Sequence, residues 1–202
     1  MSLDYSSPAA PDPVNVMAEQ HSQSPQTSTV PVCGIGASAG GLEALRKFFD
    51  ALPDDLGLAY VVIVHLAPDR KSDLPAIIAR WTRMAVIQVG DHESAKLDAN
   101  HVYVIAPDRK LEITDTSVGA SRFEQARGQR AAIDLFFRSL AASHGDGFAV
   151  VLSGSGSDGA LGARAVKESS GRAGLCLIFA PPIGKVGPIA PAESGGRCSQ
   201  RL

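Results

Sequence analysis

Short runs of apolar residues alternate along this chain with stretches in which apolar residues recur at helical spacing. The short runs predict buried strands at 31–36, 59–64, 84–89 and 148–152. The helical spacing predicts four helices, which include the stretches Leu42 to Leu52, Asp73 to Trp81, Ile133 to Ala141 and Leu161 to Val166. This alternation is typical of a parallel sheet with helices on both faces, so we predict an α/β fold.

A hairpin is expected between two of the remaining apolar runs. Residues 102–106 and 111–114 flank Pro107-Asp108-Arg109-Lys110, a sequence that is typical of a tight turn. Short strands on either side of such a turn usually pair with each other, so we predict one β-hairpin.

Composition divides the chain into three parts. Residues 1–30 are rich in Ser, Pro, Gln and Thr and lack a cluster of large apolar residues, which predicts a disordered leader. Residues 31–170 contain the alternating strands and helices and form the predicted domain. In the tail, 171–202, the run 175–179 could supply one strand, but prolines at 181, 182, 188 and 191 exclude a regular helix beyond it.

Composition and charge also exclude several classes of protein. The chain has 202 residues and a net charge of −2, so nothing favours nucleic acid or an anionic membrane as a partner. No apolar run approaches the roughly 18 to 20 residues of a membrane span, and the first basic residue, Arg46, comes too late for a secretory signal. Cys33, Cys176 and Cys198 include no CxxC pair, so we expect neither disulfides nor zinc and predict a cytoplasmic protein.

A candidate nucleophile lies in the turn after the first predicted strand. Ser38 is the centre of Gly36-x-Ser38-x-Gly40, where small neighbours let the chain turn sharply and project the hydroxyl from the edge of the sheet. The amides of Ala39, Gly40 and Gly41 open the next helix and could stabilise a developing oxyanion. The alternative is that Ser38 only caps that helix.

Two further polar residues follow predicted strands and complement Ser38. His65 ends the strand 59–64, so in a parallel sheet it lies at the same edge as Ser38. Asp158 follows the strand 148–152 and opens a helix, whose dipole helps to keep the carboxylate ionised. Taken singly, His65 could be structural and Asp158 could serve only its helix. Together, Ser38, His65 and Asp158 are predicted to act as nucleophile, general base and orienting anion, in that order.

Two rival interpretations use the same turn. Gly34-x-Gly36-x-x-Ala39 fits a loose dinucleotide-binding fingerprint, but that motif needs an acidic residue about 20 positions on, at the end of the second strand. His65 and Leu66 stand there instead. An ordinary α/β-hydrolase also has a G-x-S-x-G turn, but its order is Ser, acid, His, whereas the order here is Ser, His, Asp.

With these residues in view, the chain resembles the catalytic domain of the bacterial chemotaxis protein-glutamate methylesterases, the CheB type. The stretches that match are Ile35-Gly-Ala-Ser-Ala-Gly-Gly41, Val62-Ile-Val-His65, Val102-Tyr-Val-Ile-Ala-Pro107, Ile133-Asp-Leu-Phe-Phe137 and Ser153-Gly-Ser-Gly-Ser-Asp-Gly-Ala160. They cover about 32–170 in the order and spacing of the family.

The resemblance implies a Rossmann-like, three-layer, doubly wound and mostly parallel sheet. It also implies hydrolysis of glutamate γ-methyl esters on the cytoplasmic helices of chemoreceptors, with deamidation of glutamine in many members. The family's nucleophile, base and acid fall on Ser38, His65 and Asp158, and no metal or organic cofactor is called for.

The chain also departs from the family. Ala39 stands where the family usually has Thr, and Ser155 stands where it usually has Met. The receiver domain that usually precedes the esterase in this family is not expected here. The sequence therefore looks closest to hybrid proteins in which the esterase shares a chain with the receptor methyltransferase. That methyltransferase is a second candidate partner of this protein. The tail lacks the family's Met-Pro loop and last helix, so we expect it to be truncated or out of frame, which would leave the active site poorly supported and the activity low. A non-enzymatic binding module is the alternative function.

Overall fold

The computed structural model describes residues 29–66, 72–90, 94–126, 130–152, 158–169 and 176–179. In chain order the helices and strands are β1 (Val32–Ala37), α1 (Leu42–Ala51), β2 (Ala59–Val64), α2 (Leu74–Ile78), β3 (Ala85–Val89), β4 (Ser94–Lys96), β5 (His101–Ile105), β6 (Arg109–Ile113), β7 (Ser117–Arg122), α3 (Ala132–Ser143), β8 (Phe148–Leu152), α4 (Ala160–Ser169) and β9 (Cys176–Phe179). The strand expected in the tail is confirmed as β9. The predicted leader, except its last two residues, and the rest of the tail lie outside the described residues.

Six strands form a central sheet in the order β3-β5-β2-β1-β8-β9, and every neighbouring pair is parallel. From β1 the chain continues to β2 on one side of the sheet and later to β8 on the other. The strand order therefore reverses at β1, and ligands of such sheets bind outside the carboxyl ends of the strands at this point.

Helices cover both faces of this sheet, which confirms the α/β prediction. On one face Leu45 and Phe49 of α1 are buried together with residues of α2. On the other face Phe136, Phe137 and Leu140 of α3 pack in a second core, together with part of α4. Leu42 was expected on the buried side of α1 but is 40% exposed, because it stands at the first turn of the helix, beside an open cleft.

The predicted hairpin between β5 and β6 is wrong. β5 lies between β2 and β3 in the parallel sheet, so both of its edges are already paired. The turn is present, with Asp108 at a φ of 59°, but it leads the chain into a second sheet of order β4-β7-β6. There β6 pairs with β7 through a tight turn in which the Thr114 amide donates to the Ser117 carbonyl at 2.8 Å.

Glycines in β1 allow α3 to lie directly against the strand. A Cβ on Gly34 would lie 2.9 Å from ring carbons of Phe136 and Phe137, and a Cβ on Gly36 would lie 2.4 Å from Cγ2 of Ile133. Side chains of α3 therefore fill the space that both glycines leave. This packing explains why glycine stands at both positions. The close approach of a bound dinucleotide, as in the rival interpretation, is not needed to explain them.

We expect Gly36→Ala to lower the free energy of unfolding by about 1–3 kcal/mol, since the added methyl overpacks the contact with Ile133. Gly40→Ala is the matched control, because a Cβ on Gly40 has nothing within 4 Å. Denaturant unfolding of both variants measures the difference. Equal stability of the two variants would contradict the packing role of Gly36.

None of the helices in the described part of the chain is long and apolar enough to cross a membrane.

Candidate active site

The strand register brings two of the three predicted residues to the same edge of the sheet. Ala37, the last residue of β1, lies beside Val64 of β2 and Leu152 of β8. Ser38 and His65 therefore leave neighbouring parallel strands at the same level. They emerge at the carboxyl edge, where the strand order reverses.

Ser38 begins a sharp turn rather than capping a helix. Its backbone is extended, with φ −79° and ψ 170°, and its side chain makes no capping hydrogen bond to the 3-10 turn Ala39–Gly41. The Gly41 amide donates to the Ser38 carbonyl at 2.8 Å. Of the three amides that were predicted to face an oxyanion, the Gly41 amide is therefore already hydrogen-bonded.

His65 and Asp158 form a direct hydrogen bond, in which Nε2 lies 2.7 Å from Oδ2 of the carboxylate. The His65 side chain is 42% exposed and the Asp158 side chain only 12%. The hydrogen bond to Asp158 raises the pKa of His65, although partial burial opposes this change. Burial alone would raise the pKa of Asp158, but the hydrogen bonds from His65 and two backbone amides outweigh it and lower that pKa. Asp158 is thus held as an anion against the imidazole.

The two backbone amides belong to α3, which corrects the local interpretation of Asp158. The carboxylate accepts hydrogen bonds from the amides of Ile133, at 3.1 Å, and Asp134, at 2.9 Å. It therefore binds the amino-terminal turn of α3 rather than that of α4, the helix that it precedes. The first turn of α4 is instead bound by Asp134, a residue that sequence reasoning missed. A polar residue within the apolar stripe Ile133-Asp-Leu-Phe-Phe137 was the signal that could have found it.

Two clefts open on either side of His65. One has a volume of about 280 Å³ and is lined by charged side chains, Asp108, Arg109 and Arg130, together with Phe123. Asp108 forms an ion pair with Arg130, whose guanidinium lies 4.9 Å from the centre of the Phe123 ring. The second cleft, about 350 Å³, is lined by apolar side chains, among them Leu42, Leu45, Leu66, Leu74 and Ile77. His65 lines both clefts.

Comparison with known proteins decides the family. Residues 33–175 match the sequence profile of the CheB methylesterase family. The chain belongs to this family. The crystal structure of the Thermotoga maritima CheB methylesterase catalytic domain matches with a TM-score of 0.61 and 23% identity, over 70% of this chain and 76% of that one. It shows that the fold is the CheB fold.

Curated relatives of this CheB-family chain have the name protein-glutamate methylesterase/protein-glutamine glutaminase. One from Pseudomonas aeruginosa is 28% identical over 191 residues, which cover 87% of this chain and 54% of the relative. One from Geobacillus kaustophilus is 31% identical over 180 residues, covering 81% and 51%. The chain thus spans about half the length of these two relatives.

The other histidines that the structure describes have structural partners. His144 is buried, and its Nε2 donates to the Thr114 carbonyl at 2.9 Å. Nδ1 of His101 lies 2.9 Å from the Ala99 carbonyl. His21 and His92 lie outside the described residues. Of the described histidines, only His65 is bonded to a carboxylate, and the described residues include no cluster of three potential metal ligands.

Proposed function

We propose that this CheB-family chain is a protein-glutamate methylesterase, which hydrolyses glutamate γ-methyl esters on the cytoplasmic helices of chemoreceptors. Ser38 is the nucleophile, His65 the general base and Asp158 the residue that orients the base. The main support is the bond between His65 and an ionised Asp158, at the sheet edge where Ser38 begins its turn. The names of the relatives support the same chemistry and add the deamidation of glutamine.

The bond between His65 and Asp158 supports Nδ1 as the ring nitrogen that acts as base. Nε2 donates its hydrogen to Asp158, so Nδ1 has the lone pair that accepts the Ser38 proton. Ser38 then attacks the ester carbonyl, and the amides of Ala39 and Gly40 stabilise the negative oxygen. Methoxide is a poor leaving group, so His65 returns the proton and methanol departs. Water, activated by the same imidazole, cleaves the acyl-enzyme to glutamate and restores Ser38.

The direct test uses a chemoreceptor-derived substrate with a labelled methyl group on glutamate. We expect release of labelled methanol, together with labelling of Ser38 by a serine-directed fluorophosphonate. A chain that released no methanol and took up no label would instead be a binding module. Release of ammonia from glutamine at the same position would extend the activity to deamidation.

The pH dependence of kcat/KM should follow the ionisation of His65. Only the neutral imidazole can accept the Ser38 proton, so activity is lost as the pH falls through the pKa of His65. Because the bond to Asp158 raises that pKa above the ordinary value of 6.5, the midpoint should lie above 6.5.

Asp158→Asn should shift this midpoint downward and lower kcat by about 10²–10⁴-fold, since the imidazolium loses its carboxylate partner. Asp73→Asn is the control, because Asp73 lines the apolar cleft beside His65 without a side-chain bond to it in the described contacts. A rate that stays constant from well below to well above pH 6.5 would exclude His65 as the base. Equal midpoints in the two variants would exclude Asp158 as the residue that raises the pKa of His65.

A further inference from the structure

The amino-terminal turns of α3 and α4 bind each other's aspartates. Asp158, just before α4, accepts from the amides of Ile133 and Asp134 in the first turn of α3. Asp134 in turn accepts two hydrogen bonds through the single oxygen Oδ1. The donors are the amide of Gly159, just before α4, at 3.0 Å and the amide of Gly162, in the first turn of α4, at 2.7 Å. Each carboxylate thus satisfies backbone donors that its own helix cannot.

Glycines make this close contact between the two helix starts possible. Gly159 has a φ of +99°, and a Cβ there would lie 2.8 Å from Cγ2 of Ile133. A Cβ on Gly162 would lie 2.6 Å from Cβ of Phe137 and 2.9 Å from the backbone of Asp134. No side chain separates the two turns at these positions, so the hydrogen bonds of Asp134 fix where α4 begins relative to α3.

The catalytic pair depends on this arrangement. Oδ2 of Asp158 accepts both the Ile133 amide and the His65 imidazole, so the position of Asp158 against α3 sets the position of the ring. The residue after Asp158 is Gly159, whose amide Asp134 binds. Asp134 is only 9% exposed, and its described side-chain hydrogen bonds go to Gly159 and Gly162, not to His65. The described hydrogen bonds therefore connect Asp134 to His65 through Gly159 and Asp158.

We propose that Asp134 is a positioning residue, which holds the Asp158–His65 pair in its working geometry by binding the amides of Gly159 and Gly162. Its effect on turnover rests on the proposed esterase function. Its effect on the ionisation of His65 does not, so the two can fail separately.

The test follows the His65 imidazole by NMR titration and measures kcat and KM in parallel. In Asp134→Ala we expect the pKa of His65 to fall toward its ordinary value, with kcat about 10- to 100-fold lower and KM little changed, because a displaced catalytic group costs turnover more than binding. Asp134→Asn keeps an oxygen acceptor and should retain the parent pKa and most of kcat. If Asp134→Ala does not fold, Asp134→Ser is used in its place, since the shorter serine side chain cannot reach both amides. Asp134→Ser should lower both the pKa of His65 and kcat.

Val166→Ala is the matched control, because Val166 is a buried residue of α4, 1% exposed, away from these hydrogen bonds. It should lower the melting temperature while the pKa of His65 and kcat stay at parent values. The other charged groups that line the clefts beside His65 are Asp73, Asp108, Arg109 and Arg130, and all are unchanged in these variants.

Three outcomes would overturn the proposal. The first is a parent-like pKa and kcat in Asp134→Ala, or in Asp134→Ser if that variant is used. The second is a loss in Asp134→Asn as large as in Asp134→Ala. The third is an equal shift in Val166→Ala. If the parent chain hydrolyses no methyl ester, the proposed function fails, but the titration of His65 still decides the role of Asp134.

Discussion

Replacing Ser38 by alanine should lower the rate of methyl-ester hydrolysis by at least about 10⁴-fold, because loss of the nucleophile of a triad removes the whole covalent route. The free energy of unfolding should fall by no more than about 1.5 kcal/mol, the usual limit for one hydrogen bond. The Ser38 side chain makes no capping bond to the turn that it begins, so the helix behind it has little dependence on the hydroxyl.

The measurement pairs methanol release with fluorophosphonate labelling of the intact chain. Ser72→Ala is the matched control, since Ser72 lines the apolar cleft beside His65 and its hydroxyl accepts the Leu74 amide at 3.2 Å. We expect this control to keep its activity and its label. If Ser38→Ala were labelled as fully as the parent chain, the nucleophile would be another residue.

The strand framework of the site was predictable from sequence because its strands are short, buried and almost wholly apolar. β2 and β8 have the predicted bounds, and β1 differs by one residue at each end. In a parallel sheet the carboxyl ends of neighbouring strands share an edge, so placing His65 beside Ser38 needed only the order of the elements. The bond between His65 and Asp158 then agrees with the predicted division of labour.

Of the second sheet only β6 was predicted, as the strand 111–114, because the other two strands lack the signal that found the first sheet. β4 has only three residues, Ser94–Lys96, and β7, Ser117–Arg122, is half polar. The turn after β5 was identified correctly, but a turn does not decide whether the strands beside it pair. β5 does not pair with β6 because it is buried between two parallel neighbours, β2 and β3.

The exchange of aspartates between α3 and α4 could not be read from local rules. An aspartate just before a helix is ordinarily assigned to that helix. Here Asp134 and Asp158 are distant in sequence, and each binds the other's helix because glycines let the two turns touch. Only the packing of α3 against α4 reveals this exchange.

Removing the imidazole should also abolish turnover. We expect His65→Ala to lower kcat/KM by about 10⁴-fold or more, because the variant lacks the group that takes the Ser38 proton and returns it to methoxide. Asp158 would keep its two bonds to the amides of Ile133 and Asp134, so the fold should persist. The residual rate should no longer show the ionisation of a histidine.

Added imidazole should restore part of this activity, because clefts of about 280 and 350 Å³ border the vacated position and Asp158 remains to orient a ring there. His101→Ala is the matched control, since the described side-chain hydrogen bond of His101 goes to a backbone carbonyl and its ring stacks on Tyr103. It should keep the parent rate and gain nothing from imidazole. A His65→Ala variant with the parent rate and the parent pH profile would exclude His65 as the base, and the proton of Ser38 would need another acceptor.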